Sequence, residues 1–182
     1  SNEIVSIATN KKNYILLGTA LTDVTPLRAT YTTSTSPSTD NCFTTVNAST
    51  TVTVGITGHG ASDGDYVTFS GSAAVGGVLA AKLNAEFEIS ETTSNTFEIT
   101  VASAATSAVS GGGGTSIVAA FQYAVGYSTV TYGYGWSAGT WNRNTWSSAS
   151  DAPVDLPPRI TFQDKFNNDV IYNIQDSDIF FF

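Results

Sequence analysis

Cysteine, methionine, histidine and cationic side chains are all scarce in this chain, and each shortage removes a class of function. Cys42 is the only cysteine, so no intrachain disulfide can form and the paired-cysteine metal and redox patterns are absent. It reads as a small apolar residue. Methionine is missing altogether, position 1 included, which leads us to expect a processed chain or a portion of a longer one. Seven Lys and Arg stand against fifteen Asp and Glu, for a net charge of −8, and no basic cluster goes beyond Lys11-Lys12. Capture of nucleic acid is not expected from such a chain. An acidic wall could still face DNA, because it offers phosphates no grip and lets a strand slide past. No apolar run approaches the ~18 residues of a membrane-spanning helix, and no charged-then-apolar leader opens the sequence. A soluble chain without a span is expected.

What fills the space is Thr, Ser, Gly and aromatic residues. Only 12% of the 182 residues are charged and 41% are apolar. Thr, Val, Ile, Phe and Tyr suit a half-buried pleated surface, while the Ala-rich stretches meet Gly before a helix could propagate. The expected class is all-β, with one or two domains.

Two similar segments mark the ends. Glu3-Ile4-Val5-Ser6-Ile7 passes through Asn10-Lys11-Lys12-Asn13 into Tyr14-Ile15-Leu16-Leu17. Asp169 to Ile174 passes through Gln175-Asp176-Ser177-Asp178 into Ile179-Phe180-Phe181-Phe182. Each reads as a β-hairpin closed by a polar turn. Residues 1–30 are therefore read as the first strands of a β platform and 159–182 as strands rejoining it. The last strand, an aggregation-prone edge if left bare, is expected to be covered in an assembly or followed by more chain. Residues 31–49 read as a linker, with Ser, Thr and Pro crowded between Thr30 and Ser38. Residues 50–125 read as an inserted small β-barrel or β-sandwich of five strands. These strands centre on Thr50–Ile56, Tyr66–Phe69, Leu83–Ile89, Thr96–Val101 and Ile117–Tyr123, with Gly111–Gly114 as a flexible connector. Residues 126–158 form a return passage rich in Gly, Trp and Pro, stiffened by Pro153, Pro157 and Pro158.

Groups able to carry chemistry are few. His59, the sole histidine, lies between glycines in a turn, where Asp63 and Asp65 are also expected as turn formers. General-base work would require a nucleophile and an orienting acid beside it. The calcium-loop ligand spacing is missing around Asp63-Gly64-Asp65. Glu86 and Glu88 share one face of a strand, which raises a paired-carboxylate reading and, more simply, a solvated face. Asp176 and Asp178 flank a turn and read the same way. Gly111–Gly114 lacks the ending of a phosphate-binding loop. No residue is nominated as catalytic, cofactor-binding or metal-ligating, and the reading is of a non-enzymatic protein. The nominated contacts are Tyr132, Tyr134, Trp136, Trp141 and Trp146, whose rings each bury about 150–250 Å². They line either packing surfaces within the fold and its assembly or a sugar-stacking platform. The second option makes the chain a carbohydrate- or receptor-binding module of an adhesin.

Several stretches together resemble one family. "IATNKKNYILLGTALTDVTPLRA", from Ile7 to Ala29, is similar to a "GTNKKLYV…LTDITPIR" segment of bacteriophage tail nozzle and tail tubular proteins. The stretch that starts "TVTVGITGHGASDGDYVTFSGSAAVGG" resembles a small module inserted in such proteins. "YGYGWSAGTWNRNTW" resembles their Gly/Trp passage, and "RITFQDKFNNDVIYNIQDSDIFFF" resembles their "RLWSLDNFGEDLIANVRDGGIYYW" return. Phe162, Asp164, Phe166, Asn168 and Asp169 stand at the Trp/Asp/Phe/Glu/Asp positions of that return. The resemblance implies an N-terminal portion of a propeller-type platform carrying an inserted β domain, located in the virion tail. It further implies a homo-oligomeric ring, a hexamer among its forms, joined to other tail proteins, with DNA passing through without specific binding and with no cofactor.

Overall fold

The structure, a computed structural model, describes residues 4–9, 11–123, 161–166, 169–174 and 178–181. Its regular structure is almost entirely antiparallel strand, as the Thr- and aromatic-rich composition demands. The chain divides into two compact units, Pro26–Tyr123 and a second formed by Ser1–Thr25 with Ala124–Phe182.

In the discontinuous unit, β1 (Ile4–Ala8), β2 (Asn13–Leu17) and β3 (Ala20–Asp23) make a three-stranded meander. The expected hairpin forms with Ile7 opposite Tyr14 and Val5 opposite Leu16. Its turn differs from expectation, because Asn13 belongs to the strand and is buried, as is Lys12. Thr9 closes the turn instead, with its hydroxyl oxygen accepting the N–H groups of Lys11 and Lys12. Between β2 and β3 the two residues Gly18-Thr19 suffice. Gly18 has φ +63°, as a primed hairpin turn requires at its first central position.

The Pro26–Tyr123 unit holds eight strands. In order these are β4 (Leu27–Thr32), β5 (Phe43–Thr45), β6 (Thr51–Gly55), β7 (Tyr66–Ser70), β8 (Glu86–Glu88), β9 (Thr96–Thr100), β10 (Val109–Gly112) and β11 (Val118–Gln122). They form two four-stranded sheets, β10-β5-β6-β9 and β4-β11-β7-β8, which do not close on each other. This is a sandwich and not a barrel. Its logic is strict alternation: β6, β7 and β9 each place Thr, Tyr or Glu outward and Val, Phe or Ile inward. Pairing carries Phe43 opposite Val54 and Val54 opposite Phe97 in one sheet. In the other, Phe87 pairs with Val67 and Val67 with Phe121. Rings then meet inside the core, Phe43 against Phe69 edge-on at 5.0 Å and Phe97 against Phe121 edge-on at 5.8 Å. Each such fully buried side chain stabilises the fold by about 1.5–3 kcal/mol.

Three sequence expectations are corrected here. The linker reading of residues 31–49 fails because Phe43 is fully buried and β5 is an inner strand. The Ser/Thr/Pro segment before it is a hydrogen-bonded loop. Within it, the Thr39 hydroxyl, also fully buried, donates to Ile117 O at 2.6 Å. Leu83 does not open a strand, because it anchors a single helical turn, α1 (Ala80–Leu83). Asn84 then ties that turn down, its Oδ1 accepting both the N–H and the hydroxyl of Ser72.

Gly111–Gly114 is not a flexible connector. Gly111 and Gly112 end β10, Gly113 O accepts the Ala73 N–H, and the Gly114 N–H donates to Asn41 Oδ1. A Cβ on Gly113 would sit 2.7 Å from both Ile117 Cδ1 and Phe43 Cδ2, at a backbone φ of +105°. Glycine is there because the core rings occupy the space of a side chain.

β12 (Thr161–Phe166), β13 (Asp169–Ile174) and β14 (Ile179–Phe181) complete the discontinuous unit as a second meander. The expected hairpin is its β13–β14 pair.

The sandwich begins and ends on adjacent strands, Leu27 opposite Gln122, with the Tyr123 N–H donating to Pro26 O. A fragment spanning Pro26–Tyr123 is therefore expected to unfold cooperatively by itself, with one thermal transition followed by circular dichroism; a fragment without a transition would contradict this autonomy. Gly113→Ala is expected to cost about 1–3 kcal/mol from overpacking and more from its backbone conformation. The measurement is urea denaturation beside Gly64→Ala, where nothing lies within 4 Å of the added carbon, and equal losses in the two variants would refute the packing explanation.

Candidate functional site

The five nominated aromatic contacts, Tyr132, Tyr134, Trp136, Trp141 and Trp146, lie outside the described residues, as does Asp176. Among the motif positions of the C-terminal meander, Asp164 is exposed on β12, opposite Ile171 of β13. Asn168 also lies outside the described residues.

His59 is in the predicted turn, yet its imidazole is fully buried. Gly58 and Gly60, at φ +71° and +63°, let the loop fold its side chain into the end of the sandwich. Nδ1 accepts the Ala61 N–H at 3.0 Å, and Nε2 lies 2.9 Å from Thr93 O. A carbonyl can only accept, so the proton sits on Nε2 and both ring nitrogens are occupied. The ring packs edge-on to Phe97 at 5.0 Å and stacks with Phe121 at 6.2 Å. This histidine holds the core shut, and neither nitrogen is available to a substrate.

Sequence reasoning missed Arg28. From β4 its Nη2 donates to His59 O at 3.0 Å, and its guanidinium carbon lies 5.5 Å from the Phe121 ring centroid. A cation over an aromatic face contributes about 0.5–1 kcal/mol where partly exposed. The only legible signal was an Arg in a chain with few cations, and nothing in its neighbours pointed to a loop 31 residues away.

The carboxylates act as turn and surface groups. Asp63 Oδ1 accepts the Thr92 N–H, and Asp65 Oδ2 accepts the Ser62 N–H. Glu86 and Glu88 flank the inward-turned Phe87 on the outer face of their sheet. Gln122 Nε2 donates to Glu86 Oε1 at 2.7 Å and the Tyr66 hydroxyl to Glu88 Oε2 at 3.2 Å. Asp178 is exposed. Among the described residues no group of three or more His, Cys, Asp or Glu side chains could hold a metal ion. Burial pushes the Cys42 thiol up to about 12, so at neutral pH it is protonated and a poor nucleophile.

In the discontinuous unit a polar knot surrounds the end of β3. Lys12 Nζ donates to Asp23 Oδ2 at 2.8 Å, the Thr25 hydroxyl and N–H both donate to Asp23 Oδ1, and the Asn13 N–H donates to Thr25 Oγ1. Burial of Asp23 favours its neutral form, but the bonds from Lys12 and Thr25 together outweigh that and hold its carboxyl below the usual value. Tyr172 of β13 is also buried. Burial pushes its phenol up to about 12, with the Asn13 side chain pulling the other way.

On the sheet face that carries Asp23, apolar side chains are exposed beside it. Register places Val5, Leu16 and Leu21 in one row and Ile7 beside Tyr14 on the same face. Val5, Ile7 and Leu21 are 44%, 38% and 56% exposed. In the C-terminal meander, Ile171 opposes Phe181 and Asn173 opposes Ile179, on the face opposite the buried Val170 and Tyr172. Phe181 and Ile179 are 67% and 61% exposed. These two apolar sheet faces are the candidate functional surfaces, because a monomer in water gains nothing by presenting them.

No family model and no curated protein matches the sequence. A solved structure, the phage phi92 endosialidase, shows 25% identity over 62% of this chain, with a TM-score of 0.38. The chain spans 14% of the length of that protein, and a likeness this slight transfers neither fold nor activity.

His59→Phe keeps a flat ring and strands the Ala61 N–H and Thr93 carbonyl. The expected loss is about 1–3 kcal/mol for each group left unpaired, read by urea denaturation, and a variant as stable as the parent would show that the ring nitrogens are dispensable. For Asp23, whose folded value is lowered from 3.8, stabilisation is complete above the unfolded value and disappears as pH falls through the folded one. Asp23→Asn should therefore lower the melting temperature at pH 7, at a cost of about 1 kcal/mol or less. The gap between variant and parent should close as the pH falls from the unfolded value down through the lowered folded one, and a gap that persists or widens in acid would contradict the assignment.

Proposed function

We propose that this chain is a structural piece of a phage tail, one subunit of an oligomeric conduit, either nozzle or adaptor, that surrounds the passage of DNA. The observation that carries the reading is the pair of meanders contributed by the two ends of the chain. The C-terminal meander buries Val170 and Tyr172 on one face and leaves Ile179 and Phe181 exposed on the other, while the N-terminal meander exposes Val5, Ile7 and Leu21 on one face and Leu17 on the other. Sheets apolar on both faces belong between further layers, and a ring of subunits supplies such layers without the open growth that makes fibres.

Further features support it. Four stretches resemble phage nozzle and tubular proteins in the same order along the chain, and the sandwich lies between the two meanders in sequence, as an inserted module would. The net charge of −8 suits a wall past which DNA slides without being held. The sole histidine is committed to the core, with both ring nitrogens engaged, which suits a role in contact.

The test is cryo-electron microscopy of virions together with light scattering on the purified protein. The expected result is a closed ring of copies in the tail and a discrete oligomer mass. A chain absent from the particle would overturn the proposal. So would a stable monomer that binds glycans and loses that binding in Trp141→Ala, which would favour the adhesin reading.

A further inference from the structure

We draw no further inference here: the strongest candidate, the pair of outward apolar faces on the β1–β3 and β12–β14 meanders, carries nothing beyond the proposed assembly because nothing among the described residues shows what covers them.

Discussion

Ring-to-ring packing inside the Pro26–Tyr123 sandwich is the constraint from which most of that unit follows. Phe43 and Phe97 come from one sheet, Phe69 and Phe121 from the other, and they meet at offset and edge-on distances that aromatic pairs favour. Sheets packed face to face sit about 10 Å apart, so rings of this size leave little room for other side chains in the same layer. Gly113 answers that demand by having none. Val52, Val54, Val67 and Ala119 fill the spaces between rings.

The polar groups drawn into this unit serve the same packing. His59 closes one end of the core, and because it is buried both its nitrogens must be paired, which the adjacent Ala61 N–H and the Thr93 carbonyl provide. Arg28 adds a hydrogen bond to the backbone of the same residue while lying against Phe121. A histidine bound in this way is a structural element. The meanders of the other unit carry exposed apolar side chains. Lys12, Asp23 and Thr25 are joined at the end of β3, and beyond them the sheets present exposed Ile, Leu, Val and Phe side chains.

Much of the fold was legible because strand alternation is written directly in the residues. Thr-Val-Thr-Val, Tyr-Val-Thr-Phe and Thr-Phe-Glu-Ile-Thr announce which side chains turn inward, and both terminal hairpins appear where their polar turns predicted. Expectation failed at β5 and β10, which are short or rich in Thr and Gly, and at β4, whose residues were divided between platform and linker although it pairs with β11 of the sandwich. They are strands because neighbouring strands offer them hydrogen-bond partners. The glycine run misled for the same reason: the sequence shows missing side chains but not the rings that take their place.

What the sequence determined by itself was the all-β class, the inward and outward faces of its regular strands, and a charge unsuited to gripping nucleic acid. These properties follow from side-chain type and a period of two, both local. Only the tertiary structure decided that the insert is a sandwich, that His59 is a core residue and not a turn ornament, and that Arg28 reaches its loop. Each of those depends on residues far apart in the chain being brought within a few ångströms, and such proximity comes from cooperative packing that no local pattern encodes.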